Sequence, residues 1–104
     1  MSTDKKFIET VIGKLQPLEV TATPMFGEYG LYHQGKNFAL VCDNTLFVKI
    51  TAAGTAVAGR VGRASPYAGA KAAFRISSAK LNDRDWIIDL VRVTSDALPL
   101  PKKK

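Results

Sequence analysis

Three neighbouring segments with the composition of β-strands, separated by two tight turns, constrain the fold of this chain most strongly. The segments are residues 30–34, 36–42 and 45–50, and each is rich in aromatic and β-branched side chains. Gly35 separates the first two and takes positive φ at no steric cost. Asp43 and Asn44 separate the last two, and both tolerate the left-handed conformation that a two-residue hairpin needs. We therefore predict a meander of three antiparallel strands.

Two further strands are predicted outside the meander. A short strand at residues 21–26 contains Pro24, which has no N–H to donate, so it should lie at a sheet edge or begin with a bulge. Residues 72–79 form a last strand, with Phe74 and Ile76 on one side and with Arg75 and Ser77 on the other. The sheet should therefore have four or five strands.

Both faces of the predicted meander are apolar. If Asp43 and Asn44 form the turn, Leu40 lies opposite Phe47, and strand alternation divides the side chains into two sets. One face carries Phe38, Leu40, Cys42 and Phe47, and the other carries Ala39, Val41, Leu46, Val48 and Ile50. A sheet with one wet face normally alternates apolar and polar residues. Helices should cover one face, and further chain, a second subunit or a partner should cover part of the other. We favour a homodimer, while a partly exposed apolar face is the ordinary alternative.

Two amphipathic helices are predicted at the ends of the chain. The apolar stripe of the first runs from Phe7 to Leu15, after a possible N-cap at Thr3 or Asp4 and before Pro17. The last helix begins at Asn82 or Asp83 and ends before Pro99. Its stripe consists of Trp86, Ile87, Leu90, Val91, Thr94 and Leu98.

The segment between the meander and the last strand holds a short helix and a loop. Residues 51–62 form a weak helix with Thr51 as its cap, since Gly54 and Gly59 each cost about 1 kcal/mol relative to alanine. Ser65-Pro66 and Gly69 indicate a loop, in which Tyr67 either packs its ring on the sheet, the alternative that we favour, or is an exposed contact residue. The fold class is therefore a two-layer α+β domain, in the order helix, three- or four-strand meander, short helix, strand and helix.

The length of 104 residues suits a single domain, which we place at residues 1–98, followed by a proline- and lysine-rich tail at residues 99–104. No apolar run approaches the ~18 residues of a membrane span, and the first ten residues lack the apolar core of a signal peptide. Cys42 is the single cysteine. We therefore expect a cytoplasmic protein without a membrane partner.

The positive charge is unevenly distributed along the chain. The formal net charge is +6, and no acidic residue lies between Asp43 and Asp83. That interval contains Lys49, Arg60, Arg63, Lys71, Arg75 and Lys80. If the interval formed one surface, it would favour nucleic acid or an acidic partner, and we predict contacts from Arg60, Arg63, Lys71 and Arg75. The alternative is a solvated face that aids solubility.

No pattern typical of catalysis is found. His33 and Cys42 are single residues of their types, which is too few for a metal cluster of usual spacing, and no orienting group for a nucleophile pair is evident. The glycines around residue 30 lack the following helix of a phosphate-binding loop. We therefore predict no enzyme activity, no cofactor and no metal. A small-ligand site near Tyr32 and His33 is a weaker hypothesis.

The stretch MFGEYGLYHQGKNFALVCDNTLFVKI resembles the N-terminal domain of the TfoX/Sxy family of competence regulators. The matching residues include Met25, Phe26, Gly27, Tyr29 and Gly30, the Gly35-Lys36 turn, residues 38–41, and the run Asp43-x-x-Leu46-x-x-Lys49. Glu28 departs from the pattern, since family members often have a second glycine there. The order of elements fits nearly the whole chain, including Pro66-Tyr67 before the last strand.

The resemblance implies an antiparallel sheet covered by helices, similar to type III secretion chaperones. It also implies a link to transcription, because the full-length regulators promote transcription of DNA-uptake genes together with a cAMP-responsive activator. Those regulators carry a second, helical domain, and we expect this chain to be a stand-alone N-terminal domain. The leading hypothesis is thus a non-enzymatic interaction module that acts in transcription-related regulation through protein contact. The alternative is a direct nucleic-acid-binding domain.

Overall fold

The computed structural model describes residues 3–25 and 28–99 and shows one open antiparallel sheet of six strands with four helices. The strands are β1 (Val20–Met25), β2 (Glu28–His33), β3 (Lys36–Cys42), β4 (Thr45–Val48), β5 (Arg63–Ala64) and β6 (Ala73–Ile76). The helices are α1 (Lys5–Leu15), α2 (Ala52–Ala58), α3 (Ser78–Leu81) and α4 (Arg84–Ala97). The order across the sheet is β1-β2-β3-β4-β6-β5. The predicted α+β class is therefore confirmed.

Two tight turns set the register of the meander. Asp43 and Asn44 both have positive φ, 51° and 55°, as a type I′ hairpin between β3 and β4 requires. Leu40 lies opposite Phe47 in this hairpin, as predicted from the sequence. Gln34 and Gly35 form the turn between β2 and β3, also with positive φ. The turn residues thus determine which side chains of the meander share a face.

A β-bulge in β3 changes the predicted face of one aromatic residue. Leu31 pairs with Ala39 and Tyr32 pairs with Asn37, so Phe38 has no partner in β2. The Asn37 side-chain amide donates hydrogen bonds to the carbonyls of Leu31 and Ala39, both at 3.0 Å, and these bonds span the bulge. Phe38 is fully buried in the helix-side core. Its predicted place beside Leu40 was wrong, because one extra residue interrupts strand alternation.

The edge strands of the sheet agree only in part with those predicted from the sequence. The strand that contains Pro24 is β1, at one edge, as predicted. Its predicted last residue, Phe26, lies outside the described residues. At the other edge, β5 has only two residues and was not predicted, which makes six strands rather than four or five. The predicted strand at residues 72–79 ends at Ile76, because the Ser77 hydroxyl accepts from the N–H of Lys80 and begins α3.

The first helix is tied to the β3–β4 turn. Asp4 is at the N-cap position of α1, but its carboxylate does not cap the helix. The N–H of Asp4 instead donates to Oδ1 of Asn44 at 2.8 Å, and the N–H of Asn44 donates to Oγ1 of Thr3 at 3.2 Å. The Thr3 hydroxyl donates to the carboxylate of Glu28. These contacts hold the start of the chain against the meander, while Ile8, Val11 and Leu15 of α1 enter the core.

Two helices, α2 and α4, pack closely because one residue between them has no side chain. Thr51 caps α2 as predicted, since its Oγ1 accepts from the N–H of Gly54 at 2.9 Å. A Cβ at Gly54 would lie 2.9 Å from Oγ1 of Thr94 in α4 and 3.0 Å from Oγ1 of Thr51. Gly54, which weakens α2 by propensity, is therefore required by its packing.

Asp83 caps α4, where its carboxylate accepts from the N–H of Trp86 at 3.3 Å.

The helices cover one face of the sheet and enclose the main core. Its largest fully buried side chains are Phe38, Phe74, Leu15, Leu31, Leu46, Ile87 and Leu90. No helix in residues 3–25 and 28–99 has the length and hydropathy to span a bilayer. Because the helices occupy this side, any binding surface on the sheet has to lie on its opposite side, which we call the outer face.

Candidate functional site

The outer face of the sheet is apolar at its centre and is partly covered by the chain itself. Cys42, Phe47 and Ala73 form a small buried cluster there, against which Leu40 and Ala64 pack. The loop between β5 and β6 lies over this cluster, and Phe47 is only 7% exposed. The prediction that part of this face is covered allowed three possibilities: another segment of the chain, a second subunit or a partner. The β5–β6 loop is such a segment, so burial of these side chains does not require a homodimer, which stays a prediction.

A pocket of about 510 Å³ lies where this loop meets the outer face. Leu40 and Phe47 line it from the sheet, and Pro66 and Tyr67 line it from the loop. Tyr67 is 60% exposed, so the expectation that its ring packs on the sheet was wrong. A short loop rich in alanine and glycine supplies too little apolar surface to bury the ring. The volume is within the ~300–1,000 Å³ typical of ligand pockets. We call this site the outer pocket.

The outer pocket is positively charged. Lys49 and Lys71 line it, and none of the lining residues within 3–25 and 28–99 is acidic. Arg75 pairs with Phe47 across β4 and β6 and therefore lies on the same face beside the pocket. All three cationic side chains are exposed to solvent. Partial burial lowers the pKa of the Lys49 ammonium group, since a desolvated charge is less stable. An anion in the pocket would offset that cost.

Glu28 is an acidic residue of the outer face, and it lies at the end of that face away from the pocket. Glu28 lies on β2 beyond Gly30, and its carboxylate accepts from the N–H of Asp43 at 3.1 Å and from Thr3. Gly30 pairs with Leu40, so Glu28 lies one step farther from the pocket along the strands. Its oxygen is already occupied by two donors. The basic end of the outer face is therefore not neutralised by this carboxylate.

The four basic residues predicted as contacts do not share one surface. Lys71 and Arg75 belong to the outer face, as described above. Arg63 pairs with Phe74, and its guanidinium lies 5.2 Å from the centroid of that buried ring, which places Arg63 on the helix side. Arg60 follows the end of α2, in the helix layer. The sequence analysis missed Lys49 as a site residue. Its position two residues after Phe47, on the same face of a strand, could have indicated it.

The residues of the family motif serve the β1–β2 hairpin rather than the outer pocket. Tyr29 is partly buried and packs against the main core. Gly30 is buried opposite Leu40. Met25 ends β1, whereas Phe26 and Gly27 lie outside the described residues. None of the described motif residues lines the pocket. Their role in the described structure is therefore to build the sheet.

His33 and Cys42 are at opposite ends of the meander. His33 pairs with Lys36 at the start of β3, and Cys42 ends that strand six residues later, about 20 Å away at ~3.3 Å per residue. Nδ1 of His33 lies 2.8 Å from the carbonyl oxygen of Glu19. The two side chains do not form a nucleophile pair. In the described part of the chain, no three potential ligands come together as a metal site.

Cys42 should react slowly with alkylating reagents. Burial raises the pKa of its thiol, and the Glu28 carboxylate raises that pKa further. Because only the thiolate reacts, the native alkylation rate should rise at higher pH than in the unfolded chain, and near pH 8 the native protein should react more slowly. The measurement is iodoacetamide labelling against pH with and without guanidinium. In the Glu28→Gln variant, the midpoint pH of the native labelling curve should fall part of the way toward that of the unfolded chain. An unchanged midpoint pH would contradict a contribution of Glu28 to the raised thiol pKa.

Comparison with known proteins places the pocket inside a known type of domain. A family model for the TfoX N-terminal domain matches residues 14–98. The chain is also 35% identical over 105 aligned residues to a protein of Spirochaeta aurantia named "Uncharacterized 12.7 kDa protein in trpE 5′ region". That alignment covers 100% of this chain and 90% of the relative. Every residue that lines the outer pocket falls within the family match.

Proposed function

We propose that this chain, which belongs to the TfoX N-terminal domain family, is a non-enzymatic regulatory module acting through contact with another protein. The proposal includes a link to transcription, carried over from the family resemblance, and a cytoplasmic location, expected from the sequence alone. The observation that carries it is the outer pocket, where Tyr67 and two lysines, all exposed, surround an apolar floor. Exposed aromatic and basic side chains around an apolar centre are typical of interaction surfaces.

The charge of the outer pocket favours a different protein over a second copy as its partner. A two-fold contact centred on the pocket would bring Lys49 and Lys71 of both copies together, and like charges oppose such a contact. Nucleic acid is not proposed as the partner. Arg60 and Arg63 lie on the helix side and Lys71 and Arg75 on the outer face, so the four do not form one track for a phosphate backbone.

Transcript levels in a strain that lacks the gene test the regulatory role. We expect the wild-type protein to restore the transcripts that change on deletion, and we expect the Lys49→Gln/Lys71→Gln double variant to fail. The matched control is Arg60→Gln/Arg63→Gln, which removes the same charge from the helix side and should restore them. Both variants must be present at wild-type abundance. A strain whose transcripts do not change on deletion would overturn the proposed function.

A further inference from the structure

We propose that the outer pocket takes an extended acidic segment of the partner protein, with one apolar or aromatic anchor side chain between carboxylates. This inference rests on the proposed function and specifies its partner. It places the anchor against Leu40 and Phe47 and the flanking carboxylates near Lys49, Lys71 and Arg75. Three features of the pocket support this ligand: its floor, its rim and its charge.

The floor of the pocket is suited to an anchor side chain. Leu40 is only partly buried although it lies at the centre of the sheet, and Phe47 beside it contributes an aromatic surface. Ala72 and Ala73 also line the pocket, and their small side chains leave space above the strands. An apolar side chain placed there would be removed from water, which is worth about 25 cal/mol per Å² of buried apolar surface. The geometry therefore provides a contact that a purely ionic ligand would not use.

The rim indicates an extended ligand rather than an enclosed one. Tyr67 is 60% exposed and stands on the β5–β6 loop at one side of the pocket. Ile50 and Leu98 line another part of it, so apolar contact surface continues beyond the floor. Tyrosine combines a large apolar ring with a hydroxyl and loses little conformational entropy on binding. A peptide backbone that crosses the pocket would bury the ring of Tyr67, which the protein leaves in water.

The charge selects the residues on either side of the anchor. Lys49, Lys71 and Arg75 are all exposed, and none of them forms an ion pair within the described residues, where Arg92–Asp89 is the one such pair. Glu28 is held by Thr3 and Asp43 at the far end of the face. None of the described residues that line the pocket is acidic, so carboxylates next to the anchor would meet these cations directly. A second copy would present its own cations instead, so a foreign acidic segment is the better match.

Fluorescence anisotropy with defined peptides tests the inference. The probe is a fluorescein-labelled peptide Glu-Glu-Phe-Glu-Glu, and the matched peptides Glu-Glu-Ala-Glu-Glu and Gln-Gln-Phe-Gln-Gln remove the anchor and the charge in turn. We expect binding of the first peptide that weakens with added salt, and clearly weaker binding of both matched peptides. Absence of binding up to about 1 mM protein would overturn the inference. Equal binding of all three peptides would also overturn it.

Protein variants then locate the site. Lys49→Gln/Lys71→Gln should weaken binding about tenfold, since each exposed ion pair is worth about two- to fivefold in affinity. Tyr67→Ala should weaken it about fivefold. The control Arg60→Gln/Arg63→Gln should change it less than about twofold, because those residues lie on the helix side. All altered residues are exposed, so the variants should fold, and circular dichroism checks this. An equal loss in the control would overturn the inference.

Two competition measurements separate the acidic segment from other occupants. If duplex DNA binds more tightly than the peptide and shows the same lysine dependence, the occupant is nucleic acid and the inference fails. If sedimentation shows a dimer that the peptide dissociates, a second copy occupies the pocket and the inference also fails. Displacement of the labelled peptide by its unlabelled form, without either result, supports it.

The peptide and transcript experiments can fail independently. If the peptide does not bind, yet Lys49→Gln/Lys71→Gln still fails to restore transcripts, the regulatory function is supported and the acidic ligand is overturned. If the peptide binds with the expected lysine dependence and deletion leaves every transcript unchanged, the acidic-ligand site is supported and the regulatory function is overturned.

Discussion

Replacing Phe38 with alanine should lower the free energy of unfolding by about 3–5 kcal/mol, as expected for loss of a fully buried phenylalanine side chain. The β-bulge in β3 turns this ring into the main core, where it is 0% exposed. The matched change is Leu40→Ala, two residues away on the outer face, where the side chain is only partly buried. That variant should lose about 1–2 kcal/mol, since less apolar surface leaves the interior.

Equilibrium unfolding in urea checks both values. Trp86 is the single tryptophan, and its indole N–H donates to the carbonyl of Val57 at 3.1 Å, so its fluorescence should report loss of the α2–α4 packing. Circular dichroism provides a second probe of the same transition. If Leu40→Ala proved more destabilising than Phe38→Ala, β3 would alternate without a bulge, and the two residues would share the face that the sequence pattern predicts.

Replacing Gly54 with alanine should destabilise the protein by about 1–3 kcal/mol, the usual range for overpacking a core, although alanine is the better helix former. The added Cβ would lie 2.9 Å from Oγ1 of Thr94 and 3.0 Å from Oγ1 of Thr51, which is too close for either atom to stay in place. The matched control is Gly13→Ala in α1. Gly13 has open space around it, so the same substitution should stabilise by about 0.5–1 kcal/mol.

A double-mutant cycle identifies the cause of the Gly54 effect. Thr94→Ala removes the nearer oxygen, and that hydroxyl is buried without a hydrogen-bond partner among the described residues, so its loss should cost little. Combined with Gly54→Ala, it should recover about 1 kcal/mol relative to the sum of the single changes. If the effects simply add, the clash with Thr94 is not the source of the destabilisation.

Local signals allowed much of the fold to be predicted. The Asp43-Asn44 turn determined the register of β3 and β4. Thr51 was identified as a helix cap from residue type alone, and Asp83 was one of two candidate caps, with Asn82. Pro24 indicated an edge strand because it has no N–H, and it lies in one. Each of these features depends on the chemistry of one or two residues and on their immediate neighbours in the chain.

The missed features depend on contacts between distant segments. Nothing in the alternation of β3 indicates that Phe38 is an inserted residue, because the bulge is defined by its pairing with β2. The two-residue β5 is too short to show a pattern. The role of Gly54 depends on Thr94, forty residues later in the chain. Arg63 and Arg75 were predicted together as contact residues. The pairing of β4, β5 and β6 places Arg75 on the outer face and Arg63 on the helix side, which the sequence does not indicate.

The position of Leu98 in the lining of the outer pocket has a consequence for any segment joined after it. The chain leaves α4 at the edge of the pocket, so such a segment meets the site as an intramolecular ligand, at an effective concentration of about millimolar for a short flexible tether. Lys102, Lys103 and Lys104 have the same sign of charge as the pocket and would not compete with an acidic ligand. An acidic tag fused after this segment would compete in cis with an acidic ligand for the outer pocket.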